Sequence, residues 1–229
     1  MKINLSHQGL IEIPSDIDTN VVELDLSRNQ ITEIKNLESL TKLKKLWLNH
    51  NLITEIKNLE QLVNLEVLFL SCNSISEIKN LDPLVNLLRL YLCGNKITEI
   101  VKLNSLNLQT LYLPDNQLTE IKNLETLINL KTLNLYNNQI TDIQNLETLV
   151  NLQILYMGWN PLDKIQFSQL KNNVNLAGFY FSKNGKLYIY DYRMISERIK
   201  RQEDIENTYY CYSLNDEIIN ISSLNYFFK

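Results

Sequence analysis

Apolar residues recur along this chain in one phrase of about 22 residues, L-x-x-L-x-L-x-x-N followed by I-x-x-I-x-x-L-x-x-L. We number each repeat from its first leucine, so that the asparagine is position 9. A fixed period of this length indicates a solenoid, in which one structural unit is stacked on itself. The position 9 asparagines are separated by 22, 22, 22, 21, 22 and 22 residues: Asn29, Asn51, Asn73, Asn95, Asn116, Asn138 and Asn160.

The apolar spacing within one repeat predicts two kinds of element. Apolar positions 4 and 6 alternate with outward positions 3, 5 and 7, which is strand periodicity. Positions 14, 17 and 20 are spaced by three, which suits a 3₁₀ turn or a short helix. We therefore predict an α/β fold: a right-handed solenoid shaped as a horseshoe, with a parallel sheet on the concave side and short 3₁₀ or α segments on the convex side. One repeat shows the full pattern: Leu43, Leu46, Leu48, Ile53, Ile56, Leu59 and Leu62.

Three rows of asparagine follow the period. The position 9 side chain offers one acceptor and two donors, so we expect it to bond backbone groups of its own turn and of the neighbouring turn. Asparagines at position 16 precede Leu-Glu or Leu-Asp and are interpreted as helix N-caps. A third row precedes each next strand and is interpreted as left-handed residues that close the return segment. The second row is Asn36, Asn58, Asn80, Asn123 and Asn145, and the third is Asn64, Asn86, Asn107, Asn129 and Asn151.

One domain accounts for the whole chain. Residues 1–184 form the solenoid, with an N-terminal cap at 1–20 and repeats at 21–184. Residues 185–229 leave the pattern and are predicted to be a C-terminal capping segment of the same domain, because a last repeat exposes an apolar end. Within that segment we expect an amphipathic helix around 193–206 and a hairpin near 209–219. A separate interaction element is the alternative.

Composition narrows the function classes. The 229 residues carry a formal charge of -4, which gives no reason to expect nucleic acid or an anionic membrane as partner. The first residues lack the apolar run of a signal peptide, and no apolar stretch approaches a membrane span. The three cysteines have no paired spacing. We expect a monomer in the cytoplasm.

Candidate catalytic chemistry is sparse. His50, Cys72 and Cys93 fall on successive turns, where a metal or redox site is conceivable, but ordinary surface residues are the favoured interpretation. No glycine-rich phosphate loop is present, and no nucleophile, base and orienting residue coincide on the repeat lattice. The segment after residue 184 is too short for an independent catalytic core. The sequence therefore predicts no enzyme, no metal and no cofactor.

Aromatic residues occupy most of position 5, at the centre of the predicted concave sheet. Exposed aromatic side chains on a sheet surface usually indicate contact with a partner, although stacking of aromatics within the sheet is the alternative. The predicted partner-binding residues are the position 5 aromatics together with two neighbours at positions 7 and 8: Trp47, Phe69, Tyr91, Tyr112, Tyr156 and Tyr180, with Tyr136 and Trp159.

The repeat phrase over roughly residues 1–184 resembles the 22-residue class of leucine-rich repeats. That class includes the regulatory subunit of type 1 protein phosphatase and the bacterial internalins, which are exported and held at the surface. The resemblance implies the solenoid fold and the habit of binding proteins through the concave face. The leading hypothesis is a non-catalytic adaptor for a protein partner. The alternatives are a regulatory subunit that inhibits or targets a phosphatase and, from another class, an enzyme whose activity lies in the C-terminal segment.

Overall fold

The computed structural model describes residues 1–101, 103, 106–162, 175–183 and 186–190. Ten strands form a single sheet in chain order, one strand for each turn of the chain up to β9. The strands are β1 Lys2–Asn4, β2 Glu23–Asp25, β3 Lys45–Trp47, β4 Val67–Phe69, β5 Arg89–Tyr91, β6 Thr110–Tyr112, β7 Thr132–Asn134, β8 Ile154–Met157, β9 Gly178–Lys183 and β10 Lys186–Tyr190.

Strands β1 to β9 pair in parallel, each with the next strand in the chain, and every pair keeps the same register. Leu24 pairs with Leu46, and Leu46 pairs with Leu68, so position 4 stacks on position 4 throughout. These side chains are fully buried, as are the apolar positions 11, 14, 17 and 20 of the return segments. The apolar phrase in the sequence is therefore the core of the solenoid, and outward positions 3, 5 and 7 face away from it.

The two ends of the sheet differ from a regular repeat. β1 lies within the predicted N-terminal cap and pairs parallel with β2, so that Ile3 faces Leu24. β10 pairs antiparallel with β9, with Lys186 opposite Lys183. An antiparallel strand pair therefore ends the parallel series at the point where the repeat pattern stops. The predicted helix at 193–206 and hairpin near 209–219 lie outside the described residues, and the division into cap, repeats and capping segment stays a prediction.

Position 9 forms the predicted ladder. Asn51 donates from Nδ2 to the carbonyl oxygens of Leu48, 3.0 Å away in its own turn, and of Leu26, 3.0 Å away in the preceding turn. Its Oδ1 accepts the backbone N–H of Ile31 at 3.0 Å. One side chain thus satisfies backbone groups in two turns that are shielded from water, which is why the period requires asparagine here.

The other two asparagine rows form ladders of their own, and both sequence interpretations of them are wrong. Asn58 is not an N-cap: it has a φ of 57° and donates from Nδ2 to the Ile34 carbonyl at 2.7 Å. Asn86 has no positive φ and donates to the Val63 carbonyl at 2.9 Å. Both side chains reach back one turn, because a stacked repeat offers a backbone carbonyl at a fixed place beside every asparagine.

The return segments contain turns, and the described residues include no helix, so the predicted 3₁₀ or α segments are not confirmed. The N–H of Leu40 bonds the Leu37 carbonyl, and the N–H of Leu43 bonds the Leu40 carbonyl, each at 3.0 Å. Successive single turns are enough to bury one leucine every three residues. Accordingly, no helix in the described part of the chain has the length and apolarity that crossing a membrane requires. The right-handed connection and the horseshoe curvature stay predictions.

Candidate concave binding surface

The position 5 aromatics form a stack along the sheet, which we call the aromatic stripe: Trp47, Phe69, Tyr91, Tyr112, Tyr156 and Tyr180. Parallel register places each of the first four rings beside the next. The Trp47 and Phe69 ring centroids lie 5.3 Å apart, those of Phe69 and Tyr91 lie 4.5 Å apart, and those of Tyr91 and Tyr112 lie 5.1 Å apart. The structure therefore brings together the first four residues of the predicted set as one continuous apolar surface.

The stripe is divided at β7. Asn134 occupies position 5 there, in register with Tyr112 on one side and Tyr156 on the other. Beyond it, the Tyr156 and Tyr180 rings stack with centroids 4.6 Å apart. The surface thus has a block of four rings and a block of two, separated by one amide side chain.

The remaining two predicted residues flank the stripe. Tyr136 is half-buried at position 7 and lies two residues beyond Asn134, whose Oδ1 accepts the Tyr136 N–H at 3.0 Å. Trp159 is 54% exposed at position 8, in the turn that follows β8. Trp159 therefore presents the largest exposed ring at the C-terminal end of this edge.

Burial extends the pH range over which the tyrosine hydroxyls stay neutral. It is the main cause of the raised pKa values of Tyr91, Tyr112 and Tyr136, and it raises the pKa of Tyr156 to about 12, with help from the hydroxyls of Tyr180 and Tyr112. A neutral phenol both donates and accepts hydrogen bonds. The stripe can therefore offer apolar ring faces and hydrogen-bonding edges to the same ligand.

Charged residues cluster at the N-terminal end of the stripe. Lys2 places its Nζ 5.4 Å from the centroid of the Trp47 ring. Glu23 bonds Lys45 at 2.7 Å and lies 4.0 Å from Lys2. The hydrogen bond from Lys45 is the main reason that the pKa of Glu23 falls below its usual value. Trp47 is therefore the end of the apolar surface, and polar groups border it there.

Position 8 is a feature that the sequence analysis missed. The backbone is left-handed there in each turn from His7 to Trp159, and only Gly94 is a glycine. A side chain in this conformation costs roughly 1 kcal/mol or more, so the row keeps side chains at the edge of the sheet surface at a cost in stability. A glycine every 22 residues would have revealed the turn. The row instead reads His7, Arg28, His50, Cys72, Asp115, Asn137 and Trp159.

The thiols and imidazole on this edge are poorly suited to catalysis. Cys72 and Cys93 are free, and burial is the main cause of the rise in the pKa of Cys93 to about 12, with a further contribution from the Asp115 carboxylate. A thiol with so high a pKa is a poor nucleophile at neutral pH. Burial is likewise the main cause of the lowered pKa of His50. Among the described residues, no three His, Cys, Asp or Glu side chains come together as a metal site.

Comparison with known proteins agrees with this architecture. The family model for leucine-rich repeats (two copies) matches residues 19–61, 106–148 and 128–172. Internalin C2 from Listeria monocytogenes is 33% identical over 72% of each chain, with a TM-score of 0.66. Internalin F from the same species is 29% identical, with a TM-score of 0.64, over 72% of this chain and 49% of its own. No curated protein matches the chain.

The chain therefore belongs to the leucine-rich repeat proteins, and its period agrees with the 22-residue class. A leucine-rich repeat protein from Leptospira interrogans, 22% identical with a TM-score of 0.69, shares the fold over 84% of this chain and 57% of its own. The chain spans about half the length of internalin F. Proteins with these repeats generally act in protein–protein interaction, and their fold is typically non-catalytic.

Proposed function

We propose that this protein is a non-catalytic scaffold that binds an extended segment of another protein along the aromatic stripe. The observation that carries the proposal is the unbroken stack from Trp47 to Tyr112, with neighbouring ring centroids 4.5 to 5.3 Å apart on the outward face of the sheet. Half-exposed rings in one row lose unfavourable contact with water when a partner covers them. Tyrosine and tryptophan are also the usual anchors of protein interfaces.

The size of the surface favours a short extended segment. Nine parallel strands at about 4.8 Å spacing and roughly three residues each give a strip of about 400 Å². A standard protein interface buries about 800 Å² per partner. A larger partner would therefore also contact the position 7 and 8 residues, such as His50, Asp115 and Trp159, whereas a peptide segment needs only the stripe.

The proposed cellular location of the protein is the cytoplasm, where it binds its partner as a monomer. The free thiols of Cys72 and Cys93 support a reducing compartment. The likeness to internalins supports the repeat architecture.

The proposal is tested by affinity capture from the source cell. The bait is wild type or a concave variant in which Trp47, Tyr91 and Tyr112 are alanine. A matched control replaces exposed apolar residues of the return segments, Val63 and Val85, by alanine. We expect one protein to be retained by wild type and the control, and lost from the concave variant. Identical captures from wild type and the concave variant would contradict the proposal.

Two further measurements refine the result. Tyr91→Ala alone should weaken binding of the captured partner by about 1 kcal/mol or more, since truncation of an interface aromatic typically costs this much. Addition of the protein to a captured phosphatase should change the phosphatase rate if the regulatory alternative holds. An unchanged phosphatase rate would rule out the regulatory alternative in favour of a passive scaffold.

A further inference from the structure

Asn134 is the residue that divides the aromatic stripe, and its side chain is incompletely bonded. The side chain is fully buried. Its Oδ1 accepts the Tyr136 N–H at 3.0 Å, which fixes the orientation of the amide. Among the described residues, Nδ2 of Asn134 is the one buried side-chain nitrogen or oxygen that has no hydrogen-bond partner. A buried donor without an acceptor costs about as much as a lost hydrogen bond, so proteins rarely keep one without a role.

The neighbouring tyrosines explain why this amide is buried. Tyr112 and Tyr156 flank Asn134 in direct register, and both side chains are longer than asparagine by most of a ring. Tyr112 adds to the raised pKa of Tyr156, after the larger effects of burial and of Tyr180. A short side chain between two longer ones leaves a recess one strand wide, and the buried amide donor of Asn134 lies at its floor.

Other polar residues at position 5 show that burial is particular to Asn134. Asp25 holds the same place on β2, and its Oδ1 accepts the Ser27 N–H at 2.9 Å. Asn4 does the same for Ser6 on β1, also at 2.9 Å. Asn4 is exposed and Asp25 is half-buried, so their remaining polar atoms can reach water. Only at β7 do tyrosines on both sides close the recess.

We propose that the recess at Asn134 is a specificity site that takes the side-chain carboxamide of an asparagine or glutamine from the bound segment, with Nδ2 donating to its carbonyl oxygen. This inference rests on the proposed binding of an extended segment. The main chain of such a segment lies across the ring edges, so a side chain is needed to reach the floor. Tyr112 and Tyr156 rotate apart to admit it, and their hydroxyls accept the N–H groups of the entering amide.

The local charge favours a neutral amide over a carboxylate. The Asp115 carboxylate lies near Tyr136 and raises the pKa of that tyrosine, after the larger effect of burial. Asp115 also accepts a hydrogen bond of 2.6 Å from Asn137 on the same edge. A carboxylate entering the recess would lose its hydration and would be repelled by Asp115 in the preceding turn, whereas a carboxamide has no charge to desolvate.

The test is selection of peptides from a random displayed library on the full-length wild-type protein. Selected peptides are then measured against four variants: the concave triple variant, Asn134→Leu, Asn134→Asp and the control Asp25→Leu. Asn134→Leu places an apolar side chain where other repeats carry aromatic ones. Asn134→Asp keeps an acceptor for the Tyr136 N–H, as Asp25 does for Ser27, and removes the free donor when the carboxyl group is ionised, so binding is measured at a pH above its titration. Urea unfolding establishes that each variant is folded. If Asn134→Leu does not fold, the binding measured with Asn134→Asp decides the test.

We expect wild type to enrich peptides with Asn or Gln at a fixed distance from their apolar residues. These peptides should bind Asn134→Leu and Asn134→Asp roughly tenfold more weakly, the effect of one lost hydrogen bond, and bind Asp25→Leu unchanged. Peptides that need the aromatic stripe but bind both Asn134 variants as well as wild type would overturn this site alone. Peptides that bind the concave triple variant as tightly as wild type would overturn both the proposed function and the Asn134 site. A selection that enriches no peptide would also overturn both.

Discussion

Asn95 donates from Nδ2 to the carbonyl oxygen of Leu70, 3.0 Å away in the preceding turn, and so joins two repeats through one buried side chain. It also bonds the Leu92 carbonyl at 3.0 Å, and its Oδ1 accepts the Ile75 N–H at 3.0 Å. Asn95→Ala would leave these backbone groups buried without partners. We expect the free energy of unfolding to fall by about 1–3 kcal/mol.

Urea unfolding of Asn95→Ala and of Asn86→Ala measures this difference. Asn86 is exposed and donates one bond, to the Val63 carbonyl at 2.9 Å, so water can replace it. The control should lose less than about 1 kcal/mol. An equal loss in the two variants would show that burial of the position 9 row adds nothing to its contribution.

The position 16 row predicts a different response to substitution. Asn58 combines a φ of 57° with a 2.7 Å hydrogen bond from Nδ2 to the Ile34 carbonyl. Both Asn58→Ala and Asn58→Gly remove the bond, but only alanine keeps a Cβ in the left-handed conformation. Alanine should therefore be less stable than glycine by about 1 kcal/mol. Equal thermal unfolding midpoints for the two variants would contradict the left-handed backbone.

The period in the sequence predicted the core and the position 9 ladder because both depend on which residue type recurs. Leu46 and Asn51 are examples, since burial and bonding at these places follow directly from the stacking of identical turns. The N-cap interpretation of Asn58 failed for a physical reason. Asparagine favours both N-caps and the left-handed conformation, so a row before an acidic residue fits either.

The outward surface of the sheet was predictable in position and not in detail. Alternation along each strand placed Trp47 and Tyr91 on the outward face. The recess at Asn134 depends on the burial of one amide between Tyr112 and Tyr156, and residue spacing carries no information about which side chain loses contact with water. The left-handed turn at position 8 was hidden because Asp115 and other side chains occupy it in place of the glycine that normally signals such a turn.

Ion pairs alternate between neighbouring repeats on the solenoid edge, and they predict how the stability of the fold depends on pH. Lys79 lies 3.1 Å from Glu55 and 3.0 Å from Glu77, so it bridges two repeats. The hydrogen bond from Lys79 is the main cause of the lowered pKa of Glu55. A carboxyl group with a lowered folded pKa stabilises the fold above its unfolded pKa and loses that contribution as pH falls through the folded value.

Lys79→Met should therefore raise the pKa of Glu55 towards its ordinary value, as measured by carboxyl carbon NMR during an acid titration. The shift should shrink in high salt because the pair is exposed. Lys42→Met is the matched control, since Lys42 bonds the neutral Asn20 side chain at 2.6 Å. A Glu55 pKa that does not move in the Lys79 variant would contradict the bridge.

The tyrosines of the aromatic stripe are predicted to contribute stability that is lost as pH rises, whereas the ion pairs lose theirs as pH falls. Burial is the main cause of the rise in the pKa of Tyr156 to about 12, followed by the Tyr180 and Tyr112 hydroxyls. An unfolded tyrosine ionises near pH ~10. Because the folded state resists ionisation, Tyr156 contributes stability that is complete below the unfolded pKa and is lost as pH rises towards about 12. Tyr156→Phe should therefore lose less stability than wild type over this range.

Near-ultraviolet absorbance of tyrosinate tests this directly. The difference between wild type and Tyr156→Phe should titrate with a midpoint near 12. Tyr180→Phe removes the second cause and should lower that midpoint, yet leave it above the ordinary value because burial still acts. A midpoint at the ordinary value in wild type would mean that water reaches the Tyr156 hydroxyl. The recess beside Asn134 would then be open before any segment binds, and its amide would have water as a partner.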